Sequence, residues 1–205
     1  MSPQAEAAAA ATRPRVEGDR ESEILEAALA VLAEVGYDRL TMDAVATKAK
    51  ASKATLYRRW NGKVQLVIDA LHHGHRHEGP GLEMPDTGTL RGDLLAAYCG
   101  HGGLTDKPEV DGFVAILTAI SRDADFAEAF RSQVLAPKLA ASSAIFDRAK
   151  ARGEVREDVD IELLAPALAG IVLHRFFIMG EPPTPETIAQ VVDQIILPAA
   201  TAAGR

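Results

Sequence analysis

Basic side chains crowd one short stretch of the chain, residues 36–63, which reads GYDRLTMDAVATKAKASKATLYRRWNGK. The stretch holds seven Lys or Arg residues against two acidic ones, whereas the whole chain has a net charge of −7. Lysine and arginine neutralise phosphates and address the acceptor atoms of guanine. A basic segment beside an acidic remainder is typical of a nucleic-acid reader carried on a body that does not face the nucleic acid.

Two short helical patterns about ten residues apart must position these basic side chains. Thr41 is predicted to cap the first helix, whose apolar face begins with Met42 and Val45. Ser52 is predicted to cap the second helix, which starts Lys53-Ala54-Thr55. This is the pattern of a helix-turn-helix, in which the second helix enters the major groove of DNA while the first crosses the backbone.

The same residues resemble the signature of the tetracycline-repressor-like (TetR) family of transcriptional regulators. The matching positions are Gly36-Tyr37, Leu40-Thr41-Met42 with Val45-Ala46, Ser52 through Trp60, and Lys63 followed by Leu66. The resemblance implies that Lys53, Ala54, Thr55 and Arg59 face the groove, with the cation Arg58 beside them, and that Thr41, Tyr57 and Lys63 grip phosphates. It also implies that Trp60 is a core residue.

One position departs from the family pattern. Lys50 stands in the turn between the two helices, where the family usually has glycine. A side chain in a left-handed turn costs roughly 1 kcal/mol, which a folded protein tolerates.

Composition predicts an all-α fold for the 205 residues. Apolar residues make up 47% of the chain and aromatic residues only 5%, and strand-type alternation is scarce. We expect a disordered tail over 1–19, a helix-turn-helix domain over 20–66 built on three helices, and a C-terminal ligand-binding and dimerisation domain over 67–205. About nine helices are predicted, at 20–35, 41–49, 52–60, 63–75, 89–101, 109–122, 124–151, 160–180 and 185–202, with a kink at Pro137.

The last two predicted helices are candidates for a homodimer interface. Helix 160–180 is apolar nearly all round, so it must be buried on two sides, and helix 185–202 continues this apolar character. Leu168 and Val192 are expected in the interface. The alternative is an unusually internal helix in a monomer, which is less common than a closed two-fold assembly.

The C-terminal domain is expected to bind a small, mainly apolar effector. The lining candidates are Tyr98, Phe113, Phe130, Phe146 and His174. Apolar residues at helical spacing are usually plain core, so the polar members among apolar neighbours are the informative ones.

Several other kinds of protein are disfavoured. The single cysteine, Cys99, excludes an internal disulfide framework, and neither a membrane span nor a secretory signal is predicted, so we expect a cytoplasmic protein. No cofactor is predicted. Four histidines between His72 and His77 are explained better as a solvated helix end than as a zinc site.

The predicted function is therefore that of a DNA-binding transcriptional regulator. We expect a repressor that binds a palindromic operator in double-stranded DNA as a dimer and is released by a small molecule. A regulator without such a ligand, or a helical protein-interaction module, remains the alternative. An enzyme is disfavoured because the sequence has neither a phosphate-binding glycine loop nor a catalytic motif.

Overall fold

All regular secondary structure in the described part of the chain is helical. The computed structural model describes residues 17–76, 84–100, 104–105 and 110–201, without the side chains of residues 17–19, 74–76 and 110–113. The N-terminal helices are α1 Glu17–Val35, α2 Met42–Lys48, α3 Lys53–Arg59 and α4 Lys63–Arg76. The middle helices are α5 Leu90–Cys99, α6 Val110–Arg122, α7 Ala124–Ala129 and α8 Ala136–Ala151, with a π-helical turn, Phe130–Leu135, joining α7 to α8. The last are α9 Ile161–Leu164, α10 Ala167–Met179, α11 Pro185–Val191 and α12 Leu197–Thr201, with a second π-helical turn, Val192–Ile196. The predicted N-terminal tail lies outside the described residues up to residue 16.

Short polar side chains start six of the twelve described α-helices, and among these caps Thr41 and Ser52 are predicted by the sequence. The hydroxyl oxygens of Thr41, Ser52 and Thr184 and the carboxylate of Asp160 each accept a hydrogen bond from a backbone N–H of the first helical turn. These bonds satisfy donors that the helix itself leaves unpaired. Two further caps, Thr89 before α5 and Asp123 before α7, were not anticipated.

The interruptions of the long predicted helices lie next to prolines. The first π-helical turn interrupts the helix predicted over 124–151 and ends two residues before Pro137, where a kink is predicted. Pro137 has no N–H for the carbonyl of Gln133 four residues earlier, and His72 Nε2 on α4 lies 2.8 Å from that oxygen. The second π-helical turn stands in the same relation to Pro198. The predicted single helix over 160–180 is wrong in one respect: it breaks at Ala165 and Pro166 into α9 and α10.

The first hydrophobic core lies between the N-terminal helices and the middle of the chain. It is centred on α1, whose apolar residues Ile24, Leu25, Ala28 and Leu32 are all at most 4% exposed. These pack with α2, α3 and α4 and also with α6 and α7. The core therefore crosses the sequence boundary predicted between residues 66 and 67, because α6 and α7 contribute to it.

The second hydrophobic core is formed by α5, α8 and the four C-terminal helices. Leu168 and Val192 are 1% and 0% exposed within this core of the single chain. Their expected place in a dimer interface is thus wrong, because both are already covered by their own subunit.

Four large apolar side chains of the C-terminal helices nevertheless remain exposed. Leu163, Ile178, Met179 and Ile195 are each between 45% and 74% exposed. By length and composition alone, the segment 161–179 could cross a membrane, and 17% of it is buried inside the protein. Its break at Pro166 and its Arg175 and Glu162 suit a protein-covered surface better than lipid.

Buried charges fasten the beginning of α5 to the end of α8. Asp93 is fully buried and accepts hydrogen bonds from the backbone and hydroxyl of Thr87, at 2.5 and 2.8 Å, and from Arg152 at 3.2 Å. Glu154 accepts from the backbone N–H of Leu90 at 2.7 Å and from Arg152 Nε at 2.6 Å. Burial alone would raise the pKa of Asp93, but the bonds from Thr87 and Arg152 more than offset it, so the pKa of Asp93 is lowered.

We expect Asp93→Asn to lower the free energy of unfolding by about 2–4 kcal/mol at neutral pH, because it leaves Arg152 facing an amide donor. The pKa of Asp93 is lower in the folded chain than in the unfolded chain, so its stabilising effect is complete above the unfolded value of about 3.9 and disappears as the pH falls through the folded value. Urea unfolding at several pH values should show the variant and the wild type converging in acid. The exposed Asp147→Asn is the control and should change stability by less than about 0.5 kcal/mol; a deficit of Asp93→Asn that stayed constant down to strong acid would contradict this account.

Candidate nucleic-acid interface

The turn between α2 and α3 has left-handed geometry although Lys50 stands where the family usually has glycine. Lys50 has φ +51° and is the only described residue other than glycine with a positive φ. The backbone N–H of Ala51 donates to the carbonyl of Ala46 at 2.8 Å, which closes the end of α2. The carbonyl of Lys50 accepts from the guanidinium of Arg20 at 2.6 Å, so α1 also supports this turn.

Helix α3 presents one face to solvent and buries the other. Leu56 and Trp60 are at most 2% exposed, and Trp60 Nε1 donates to Asp69 on α4 at 2.8 Å. Trp60 is therefore a core residue, as the family resemblance implies. The outward face carries six of the eight predicted DNA-contacting residues: Lys53, Ala54, Tyr57, Arg58 and Arg59, which are exposed, and Thr55, which is half-buried.

Two predicted phosphate contacts also serve the local fold. The hydroxyl oxygen of Thr41 accepts from the backbone N–H of Ala44 at 3.1 Å, and its hydroxyl proton can still be donated to a phosphate. Lys63 Nζ donates to the carbonyl of Tyr37 at 3.2 Å and lies 4.1 Å from the centre of the Tyr37 ring. Lys63 is thus already engaged inside the protein, which the sequence pattern did not indicate.

Acidic side chains pair with cations on and beside the outward face of α3, the surface proposed to read DNA (the reading surface). Lys53 Nζ lies 2.6 Å from Asp43 on α2, and this hydrogen bond is the main cause of the raised pKa of Lys53. The guanidinium of Arg59 lies 3.0 Å from Glu21 on α1. Lys48 forms a further ion pair with Glu34.

The acids of α1 change the charge of the whole DNA-binding unit. Between residues 17 and 63 the chain has eight Lys or Arg and eight Asp or Glu residues, so the unit is neutral overall. The segment 36–63 alone has a positive net charge, because it begins after α1 and so omits the acidic residues of that helix. The surplus of basic side chains is therefore confined to α2, α3, the turn between them and Lys63 at the start of α4.

A junction between the first core and the later helices lies at Tyr37. Its hydroxyl donates to Asp123 at 2.9 Å, and its ring lies 4.6 Å from that of Phe126. Burial, followed by the nearby Asp123, raises the pKa of Tyr37. The backbone N–H of Phe126 and the hydroxyl of Tyr37 lower the pKa of Asp123. Beside this bond, Arg122 pairs with Asp38 at 2.8 Å.

The five effector candidates are not brought together. Tyr98 is half-buried against the second core, where its hydroxyl lies 3.1 Å from that of Ser142, and Phe146 is buried in the same core. Phe130 stacks on Phe126 at the first core, with 6.2 Å between ring centres. His174 is exposed, and Phe113 lies outside the residues whose side chains are described.

Surface grooves are present among the described residues, and Tyr98, Phe130, Phe146 and His174 are not in the lining of the two below. One runs between the end of α1 and α6, lined by residues 33–39 with Val114, Ala115 and Thr118. The other separates α10 from α11 and includes Ile171, Arg175 and Ile195. Within the described part of the chain, no three His, Cys, Asp or Glu residues are grouped so as to hold a metal ion; His77 lies outside it.

Both parts of the chain match models of known protein families. Residues 24–70 match the model of the bacterial regulatory proteins of the tetR family, and residues 84–195 match the tetracyclin repressor-like C-terminal domain. An HTH-type transcriptional regulator of Mycobacterium tuberculosis is 37% identical over 193 residues, which cover 93% of this chain and 92% of that protein. The DNA-binding transcriptional repressor TetR of Mycobacteroides abscessus is 35% identical over 183 residues, 87% of this chain and 92% of that one. The crystal structure of a TetR family transcription regulator, 29% identical, covers 87% of this chain and 97% of its own with a TM-score of 0.59.

Proposed function

The chain belongs to the tetracycline-repressor-like (TetR) family of transcriptional regulators, and from this premise we propose that it is a repressor that binds a palindromic operator as a homodimer. It is a DNA-binding regulator and not an enzyme. We further propose that it acts in the cytoplasm. The observation that carries the proposal is the outward face of α3, where Lys53, Tyr57 and Arg59 are more than half exposed on a helix that Leu56 and Trp60 hold in place.

In the proposed complex the N-terminal turn of α3 enters the major groove. Lys53 and Arg59 address base edges, with Ala54, Thr55 and Arg58 beside them. Thr41, Tyr57 and Lys63 bind phosphates and fix the register of the helix on the duplex. The half-sites of the operator would lie about 34–36 Å apart. The two helix-turn-helix units of the dimer (the heads) are related by a two-fold axis and must meet successive major grooves.

Selection from a pool of random duplexes should enrich a two-fold symmetric sequence, and the enrichment of no palindrome would sink the proposal.

Among single variants, Tyr57→Phe removes only a hydroxyl donor, so it should weaken binding to all sequences by a similar factor. Lys53→Ala and Arg59→Ala should instead relax the preference at particular base pairs. Lys63→Ala removes a phosphate contact but also the contacts with Tyr37, so it should lower the stability of the head by about 1 kcal/mol as well. Repeating the selection with each variant measures these effects; a changed sequence preference in Tyr57→Phe alone would reverse the assigned roles.

We place the homodimer interface on the exposed apolar face of α9 to α12. Leu163, Ile178 and Met179 lie on α9 and α10 and Ile195 lies on the second π-helical turn, and each of these large apolar side chains is between 45% and 74% exposed. Large exposed apolar patches are typical of protein–protein interfaces. His174 lies four residues before Ile178 and is exposed as well, which favours this outer face over an effector pocket for its side chain.

We expect Ile195→Glu to convert a dimer into monomers, because burying an unpaired carboxylate at a dry interface costs several kcal/mol. Operator binding should weaken at the same protein concentrations, since a single head contacts only one half-site. Sedimentation and light scattering at micromolar concentration measure the change. Val114→Glu is the matched control, because Val114 is 50% exposed on α6 and Ile195 is 45% exposed. A wild-type chain that sediments as a monomer would contradict the interface directly.

We propose in addition that a small, mainly apolar molecule releases the protein from DNA. Of the candidate residues, Tyr98 is best placed to orient a ligand, because it is half-buried and its hydroxyl contacts Ser142 at the edge of the second core. Phe146 lies in the same core, whereas Phe130 belongs to the first core and Phe113 lies outside the described side chains. A regulator that responds to no small molecule is the alternative.

The two possibilities differ in thermal melting. A compound that binds one conformation should raise the melting temperature of the free protein and lower its operator affinity together, because both effects follow from the same preference. Tyr98→Phe should weaken both effects in parallel without changing operator binding in the absence of the compound. A library of apolar and cationic compounds in which none produces the two effects together would favour the regulator without a ligand.

A further inference from the structure

The ion pairs on the reading surface carry an inference that rests on the proposed operator binding. Lys53 and Arg59 are the two cations assigned to base edges, and each pairs with an acid of the same head, Asp43 and Glu21. We propose that Asp43 and Glu21 are specificity-determining residues. They hold Lys53 and Arg59 away from phosphates until bases of the correct sequence take the place of the two acids as partners of these cations.

The geometry puts both acids beside the surface that meets DNA. Asp43 lies in the first turn of α2, next to the phosphate-binding Thr41, and its side chain is 55% exposed. Glu21 lies on α1 and reaches the last turn of α3, with its side chain 39% exposed. In a complex with duplex DNA, each carboxylate would lie close to negatively charged phosphates and would repel them.

Exposed ion pairs of this kind are weak, which is what an exchangeable contact requires. Pairs between solvated side chains contribute little to the stability of the fold, so the cations can leave them at small cost. A guanine offers Lys or Arg two acceptors in a fixed arrangement, and this gain can replace the lost pair. A phosphate alone offers a cation less, so on a random sequence the cation stays paired with its acid and makes no phosphate contact. The acids therefore penalise random sequences more than the operator.

The neutrality of the DNA-binding unit agrees with this role. A head meant for strong non-specific binding would carry a surplus of Lys and Arg, because non-specific affinity comes almost entirely from phosphate neutralisation. Residues 17–63 instead hold equal numbers of basic and acidic residues. Three of the cations in or beside the helix-turn-helix, Lys48, Lys53 and Arg59, are paired with acids of α1 or α2.

The test compares binding to the selected operator with binding to a duplex of scrambled sequence over a series of salt concentrations. Asp43→Asn and Glu21→Gln should each tighten binding to the scrambled duplex by about threefold to tenfold, the effect expected for one exposed charge contact. The slope of log affinity against log salt should steepen by about 0.9 for each cation that gains a phosphate. Operator affinity should change by less than about threefold, so the ratio of the two affinities falls.

Asp38→Asn is the matched control. It removes the same charge from an equally exposed ion pair of the head, but that pair joins Arg122 on α6 instead of a cation of α3. Asp43→Glu, which keeps the charge, should behave like the wild type. If Asp38→Asn tightened binding to the scrambled duplex as much as Asp43→Asn, net charge would explain the effect and the proposal would be overturned.

Failure of this inference and failure of the proposed function are separable. Unchanged affinity of Asp43→Asn and Glu21→Gln for the scrambled duplex, with intact operator binding, would overturn only the role of the two acids. A wild-type chain that enriches no palindrome would sink the proposed function, while the scrambled duplex would still report whether the acids limit non-specific binding.

Discussion

Tyr37 lies at the junction of three segments, at the centre of the contacts that connect the DNA-reading part of the chain to the rest. The ring of Tyr37 packs on Phe126, its hydroxyl bonds to Asp123, and its carbonyl and ring hold Lys63 at the start of α4. The side chain and carbonyl of Tyr37 therefore link the turn after α1, the beginning of α4 and the beginning of α7. Because Asp123 also caps α7, a rearrangement of α7 would change both its own first turn and the support of Lys63.

The long helices of the body are shaped by prolines instead of by loops. Both π-helical turns precede a proline, so the missing N–H is accommodated within a continuous rod rather than by ending it. At Pro137 the unpaired carbonyl of Gln133 is met by His72 of α4. This contact lies on the helix that leaves the DNA-binding unit, at the opposite end from Lys63. Helix α4 is thus held at both ends by residues outside it.

The sequence predicted local features better than it predicted partners. Helix caps such as Thr41 and Ser52 and the apolar face of α2, with Met42 and Val45, follow from neighbouring residues, and the structure has all of them. The side of an all-apolar helix that faces its own core cannot be read from composition, which is why Leu168 was assigned to an interface. The effector candidates failed to converge for the same reason, since aromatic residues on separate helices meet only through tertiary packing. The pairing of Arg59 with Glu21 joins residues 38 positions apart, beyond the reach of any local pattern.

Charge shows most clearly why a local window is insufficient. The neutral unit at 17–63 is followed by residues 64–205, which hold 12 Lys or Arg and 20 Asp or Glu, so no large segment of this DNA-binding chain is strongly basic. Long-range attraction of the whole molecule to DNA is accordingly weak, and at physiological salt only charges within about 8 Å of a phosphate count. Recognition must then come from the few cations on α3 and from the precise placement of that helix. The rigid support of α3 by Trp60 and of α4 by Tyr37 therefore matters more here than it would in a protein whose net charge already held it on DNA.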